Sequence, residues 1–149
     1  GTAASLAAEE LAIGLCAREG ESLHIVHVVP TAGGAASGDR DGDNEGDGED
    51  AADRVLVAAR QRAARAGVEA RVERRTAATA SAGLADYARD VDIDLLVVGT
   101  RLRRVGNAPF LGHTVEGLLR EVTVTSLAIV ALPETATTED QPYTARRHA

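Results

Sequence analysis

The sequence predicts an α/β protein: a doubly wound, open parallel sheet with helices on both faces. Three observations carry this. Segments of strand character alternate with segments of helical spacing along the 149 residues. Residues 23–29 and 95–98 are continuously apolar, as strands buried on both faces are. The second of these runs ends in Gly99-Thr100 and leads to a further helix, the kind of strand-to-helix connection at which α/β folds hold phosphates. Strands separated by helices of this length wind right-handed into a parallel sheet.

In order, residues 2–18 read as a helix, with Leu6, Ala7, Leu11, Gly14 and Leu15 on one face and Gly20 placed to end it. The strand at 23–29 contains His24 and His27 and stops at Pro30. Residues 31–50, rich in Gly, Asp and Ser, read as a long flexible surface loop. A second helix spans 51–66, with Leu56, Ala59, Ala63 and Ala66 inward and Gly67 at its C-terminal position. Residues 68–73 alternate Val68, Ala70 and Val72 with charges, an edge-strand pattern. A third helix at 81–91 presents Leu84, Tyr87, Ala88 and Val91. After the strand at 95–98, an arginine-rich loop runs to Gly112-His113-Thr114, followed by helical spacing at Val115, Leu118, Leu119 and Val122. A last strand, 126–132, precedes Pro133. We expect one domain over 1–133 and a disordered polar tail over 134–149.

Composition bounds the function. A chain of this length buries a real core, and with 2% aromatic residues that core is built from Ala, Val, Leu and Ile. No run approaches the ~18 apolar residues of a membrane helix, and no signal peptide is recognisable. The single Cys16 excludes an internal disulfide and reads as a small core residue, so a reducing cytoplasm is the expected setting. Lysine is absent: arginine supplies all 16 basic charges against 23 acidic residues. That usage suggests a GC-rich genome and a high-salt cytoplasm of the haloarchaeal kind. The acids are unevenly placed. Asp39, Asp41, Asp43, Glu45, Asp47, Glu49 and Asp50 stand against Arg40 alone, a local −6 that leaves −1 for the rest of the net −7. A near-neutral body with one acidic stretch lacks the basic face that nucleic-acid binding needs. The chain also lacks methionine, so Gly1 is not an unprocessed start.

Metal and catalytic motifs are weak. His24 and His27, three apart in a strand, point to opposite faces and cannot share a metal. Asp41-x-Asp43-x-Glu45-Gly46 opens like an EF-hand loop, but its twelfth position is Ala52 rather than a bidentate Glu, so a solvated acidic segment is the better account. Ser5, Ser22, Ser37, Ser81 and Ser126 are explained by caps, turns and strand ends. No Ser/His/Asp set, carboxylate pair or CxxC is present.

Three pieces in sequence resemble the universal stress protein family. They are Leu23-His24-Ile25-Val26-His27-Val28-Val29-Pro30; Asp92-Ile93-Asp94-Leu95-Leu96-Val97-Val98-Gly99-Thr100-Arg101; and Phe110-Leu111-Gly112-His113-Thr114-Val115-Glu116 leading into the last strand. The resemblance covers nearly all of 1–133 and implies a strand order of 3-2-1-4-5. ATP-binding members carry Gly-x2-Gly-x9-Gly-Ser/Thr. Gly99 and Gly112 fit its first and third glycines, while Leu102 replaces the second and His113 the Ser/Thr. The resemblance implies that the Val28 backbone contacts adenine, that Gly99, Thr100 and Arg101 line the ribose side, and that Gly112, His113 and Thr114 take the phosphates. The ligand is then ATP or another adenine nucleotide, with Mg accompanying it. The resemblance further implies a homodimer paired through the last strand, Leu127, Ala128, Ile129, Val130, Ala131 and Leu132.

The family's first strand is central and ends in an adenine-contacting aspartate. Gly1-Thr2-Ala3-Ala4-Ser5 resembles the turn just after it. Without that strand the sheet has a gap, and each buried backbone group left unpaired costs about 1–3 kcal/mol. We expect the strand to exist in the gene product; a partner chain or another segment filling the gap is the alternative. The function implied is a small cytoplasmic stress protein that binds an adenine nucleotide, or a degenerate relative of one, and acts by binding. The alternatives are a nucleotide-free dimeric regulatory module and, less well supported, a weak ATP-hydrolysing enzyme.

Overall fold

The computed structural model describes residues 2–31 and 45–133, without the side chains of 45–49. The elements are α1 (Ala3–Glu19), β1 (Leu23–Pro30), α2 (Glu45–Arg65), β2 (Ala70–Ala77), α3 (Ala80–Asp90), β3 (Leu95–Val105), β4 (Ala108–Phe110), α4 (His113–Glu121) and β5 (Ser126–Pro133). The alternation of helix and strand expected from hydropathy is the alternation observed. Thr2 caps α1 by accepting the Ser5 N–H at 3.2 Å, and Gly20 ends it in the left-handed region at φ 71°. Thr79 caps α3 in the same way, accepting from Ala82 at 3.1 Å.

Three boundaries differ from expectation. Helix α2 begins at Glu45, so part of the acidic stretch expected as loop is helical. The loop expected at 31–50 otherwise lies at 32–44, outside the described residues, as do the start of the EF-hand-like pattern and the tail at 134–149. Strand β2 starts at Ala70 and runs on to Ala77, past the end of the alternation, because β1 offers it a partner over its whole length. Strand β3 extends to Val105 and is followed by a strand, β4, that was not expected.

The strands form two sheets. Strands β1 and β2 are parallel, in register from Leu23↔Ala70 to Pro30↔Ala77. Strands β3 and β5 are parallel from Leu95↔Ser126 to Leu102↔Pro133, and β4 returns antiparallel along the end of β3. Strands β1 and β3 are not paired among the described residues, so the continuous order 3-2-1-4-5 is not displayed. Helix α1 spans the division, packing on β3, β5 and β1. Its Ile13 joins Leu23, Ala63, Val68 and Ala70 in a core cluster against which Cys16 packs, and burial pushes the Cys16 thiol up. Arg62 of α2 grips Glu9 of α1 through both carboxylate oxygens, at 2.6 and 2.9 Å.

On the other side α3 packs against β1 and α4. A methyl group built on Gly83 would lie 2.7 Å from the Val28 side chain, and one on Gly117 would lie 2.4 Å from Ser81 Oγ. His24 turns toward α3, where its Nδ1 is 2.8 Å from the buried Tyr87 hydroxyl.

His27 is half-buried. Burial first, and then positive charge that includes Arg74, pushes its imidazole below the ordinary 6.5. The folded protein therefore favours neutral His27, whereas the unfolded chain takes up a proton near the ordinary value. Stability should be full above about pH 6.5 and fall as pH drops below it. Urea unfolding between pH 5 and 7.5 should show that loss. It should be shallower in His27→Gln, and an unchanged slope would remove His27 as its source.

Candidate functional site

The sequence-predicted residues meet at Gly99 and Thr100, in the later part of the stretch over which β3 pairs with β5. Gly99 lies against the first turn of α1. A Cβ built on it would be 1.9 Å from the Ala4 carbonyl oxygen and 2.7 Å from the Ser5 nitrogen, so only glycine admits this approach. The next residue, Thr100, donates its hydroxyl to the Leu111 carbonyl oxygen, tying the strand to the entry of α4. Gly112 precedes that helix at φ 89°, and its missing Cβ would sit 3.6 Å from Thr100 Oγ1. With glycine as N-cap, no side chain caps α4. The first N–H groups of α4 are left to solvent or a ligand at the positive end of the helix dipole. His113 and Thr114, the first two helical residues, are exposed there.

Gly99, Thr100, Gly112, His113 and Thr114 are thus brought together, beside the start of α1. Arg101 follows on β3 and is exposed. Val28 belongs to the other sheet, near the carboxyl end of β1, with its side chain against Gly83. A groove of about 560 Å³ lined by Leu56, Val57, Val72 and Arg74 lies on α2 and β2 and shares no residue with this convergence. Among the described residues no group of three His, Cys, Asp or Glu side chains is placed to hold a metal.

The connection from Gly99 to Gly112 is not the arginine-rich loop expected from the sequence. Strand β3 continues through Leu102, which pairs with Pro133, and on to Val105. Gly106 and Asn107 then make a two-residue turn, with Gly106 at φ 63°, and β4 returns with Ala108 opposite Val105 and Phe110 opposite Arg103. Glycine at the first position of a two-residue hairpin turn supplies the positive φ that the strand twist needs. The signal was legible as Gly-Asn between strand-forming residues, but three arginines in four positions obscured it. Arg101, Arg103 and Arg104 are exposed and form no ion pair with the described residues. Sequence reasoning also missed Ala4 and Ser5 as neighbours of Gly99, and Phe110, whose ring meets that of His113 edge-on at 5.2 Å between centroids.

Helices packed on paired parallel strands make this an α/β domain. Residues 1–130 match the Universal stress protein family, and the chain belongs to that family. It is similar in structure to the universal stress protein from Archaeoglobus fulgidus, at 14% identity and a TM-score of 0.67, over 87% of this chain and 91% of that one. The same protein in complex with dAMP aligns at 14% identity and a TM-score of 0.65, over 87% and 90%. A universal stress protein family member from Burkholderia pseudomallei aligns at 22% identity and 0.61, over 87% and 89%. A universal stress protein in complex with cAMP aligns at 20% identity and 0.60, over 87% and 89%. At these identities the likeness establishes the fold. No curated protein matches the chain.

Gly99→Ala should force the α1 backbone away from β3. The expected cost is about 1–3 kcal/mol, as for overpacking elsewhere, read as a lower urea midpoint. Faster amide exchange in the first turn of α1 should accompany it. An unchanged midpoint would mean that the close approach of α1 to β3 does not hold in solution.

Proposed function

We propose that this universal stress protein binds an adenine nucleotide beside Gly99 and Thr100 of β3 and serves the stress response through that binding, without turning the nucleotide over. The carrying observation is the convergence of Gly99 and Thr100 with the uncapped start of α4. Structural relatives in complex with dAMP and with cAMP support an adenine ligand. ATP, with Mg, is the form we favour. In this reading Gly99, Thr100 and Arg101 line the ribose side, Val28 meets adenine through its backbone, and Gly112, His113 and Thr114 face the phosphates. An imidazole at a helix N-terminus can serve an anion as a neutral donor or, protonated, as a cation.

The reading extends to assembly, location and topology. Strand β5 is an edge of its sheet, with Leu127, Ala128, Ile129, Val130 and Leu132 half-buried. An apolar edge needs covering, and we propose that a second copy covers it. No helix among the described residues is long and apolar enough to cross a membrane, and we place the protein in the cytoplasm. We keep the order 3-2-1-4-5 as the arrangement of the complete sheet, in which the observed pairs β1–β2 and β3–β5 are its outer neighbours.

The second reading is a nucleotide-free dimeric module. It is favoured by Leu102, which takes a strand position opposite Pro133 where ATP-binding relatives have glycine.

Mg-ATP, ADP and AMP in thermal-shift titrations separate the two. A ligand that binds only the folded state at ~100 Kd adds about 2.7 kcal/mol of stability. A rise in Tm that Gly112→Val removes supports the nucleotide site; no shift at millimolar nucleotide favours the nucleotide-free module. Sedimentation at micromolar concentration tests the dimer, which a monomer would exclude.

A further inference from the structure

We infer that the nucleotide's phosphates are held by side chains of the β3–β4 hairpin, Arg101 and Arg103 together with His113, and that this grip selects ATP over AMP. The inference rests on the nucleotide reading above.

A backbone cradle for phosphate requires several N–H groups to converge, which they do where right- and left-handed residues alternate. From Gly99 to Val105 the backbone is instead a strand, paired with β5 as far as Leu102 and with β4 from Arg103. Successive N–H groups of a strand point to opposite edges. In the connection, positive φ occurs at Gly106, the hairpin turn, and at Gly112. The N–H groups of this segment therefore cannot gather on an anion, and beyond the uncapped start of α4 the charge has to come from side chains.

The register places those side chains. Gly99, Arg101 and Arg103 alternate onto one face of the strand, the face on which Gly99 meets α1. Phe110 stands directly opposite Arg103, and paired residues of antiparallel strands point the same way. Phe110 in turn touches His113. The register thus sets Arg101 and Arg103 on one face of the strand, with Phe110 beside Arg103 and in ring contact with His113 at the start of α4. Arg104 alternates onto the other face. Several arginines elsewhere have carboxylate partners, Arg62 with Glu9, Arg75 with Glu73 and Asp90, and Arg89 with Asp86, while Arg60 and Arg65 have none among the described residues. The hairpin arginines have none among the described residues. A guanidinium fork matches two oxygens of one phosphate. Two such forks in a row serve a triphosphate better than a monophosphate.

Calorimetric titration of the full chain with ATP, AMP and adenosine, in metal-free buffer, tests this. The variants are the double change Arg101→Gln with Arg103→Gln, and Arg104→Gln as the opposite-face control; melting curves check that each is folded. Wild type should bind ATP at least about tenfold more tightly than AMP, since one charge-assisted contact is worth roughly that factor. The double variant should lose that advantage, binding ATP and AMP alike, and Arg104→Gln should retain it. Equal binding of ATP and AMP by wild type overturns the inference but leaves the nucleotide reading intact. So does an advantage that survives the double change, or one that Arg104→Gln removes equally. Binding of none of the three ligands overturns both.

Discussion

The arrangement depends on the contact between Gly99 and the first turn of α1. Among the described residues, strands β1 and β3 belong to separate sheets, and no ladder of hydrogen bonds joins them. Helix α1 does so instead. Its first turn lies against β3 so closely that no side chain fits at Gly99. Its middle is fixed to α2 by the Glu9–Arg62 fork, and its Ile13 enters the core shared with β1, β2 and α2. A glycine at the end of a strand is often discussed for what it lets a ligand do. Here it first decides where a helix can lie, and the site inherits that placement.

The opposite face of the molecule uses the same device. In a chain with 2% aromatic residues, large rings cannot fill the spaces between layers, so the layers approach until small residues touch. Gly83 admits the Val28 side chain, and Gly117 admits Ser81. Ser81, itself buried, donates to Glu121 at 3.3 Å. Leu118 is fully enclosed where α4 packs. Tyr87 is the exception, and every side of it is engaged: His24 at its hydroxyl and the Arg75 guanidinium 4.8 Å above its ring, with burial and then Glu73 pushing the phenol up. These contacts set the position of α4 and therefore of Gly112, His113 and Thr114.

Much of this was legible in the sequence, and the exceptions have physical causes. Gly20 and Gly67 punctuate the helices because left-handed turns make chemical demands on single residues. Gly99, Thr100, Gly112, His113 and Thr114 were legible as a group because a strand ending in glycine before a helix has few other uses. Strand extents were less legible. Arg74, Arg75 and Thr76 carry no alternating signal and are extended because β1 pairs with them. The segment from Arg101 to Val105 is too charged to suggest a strand, and its conformation is set by the Gly106-Asn107 turn and by β4. Helix α2 starts at Glu45, within a stretch whose composition suggests a loop. For both strands a partner outside the local window decided the outcome.

The hairpin also changes what kind of electrostatics can serve this site. Backbone dipoles in a glycine loop act at contact and carry no net charge, so dissolved salt affects them little. Arginine side chains add two components: a long-range field and directional contacts with phosphate oxygens. Near 1 M ionic strength that field is screened within about 3 Å. Attraction at a distance would then contribute almost nothing. Two-point guanidinium–oxygen contacts would persist, because they act inside the screening length and exclude intervening water. A strand suits that requirement better than a mobile loop, because it fixes the spacing of Arg101 and Arg103 and so reduces the ordering cost of each contact. The extended backbone that replaces a phosphate cradle thus supplies a rigid mount for anion contacts that concentrated salt leaves effective.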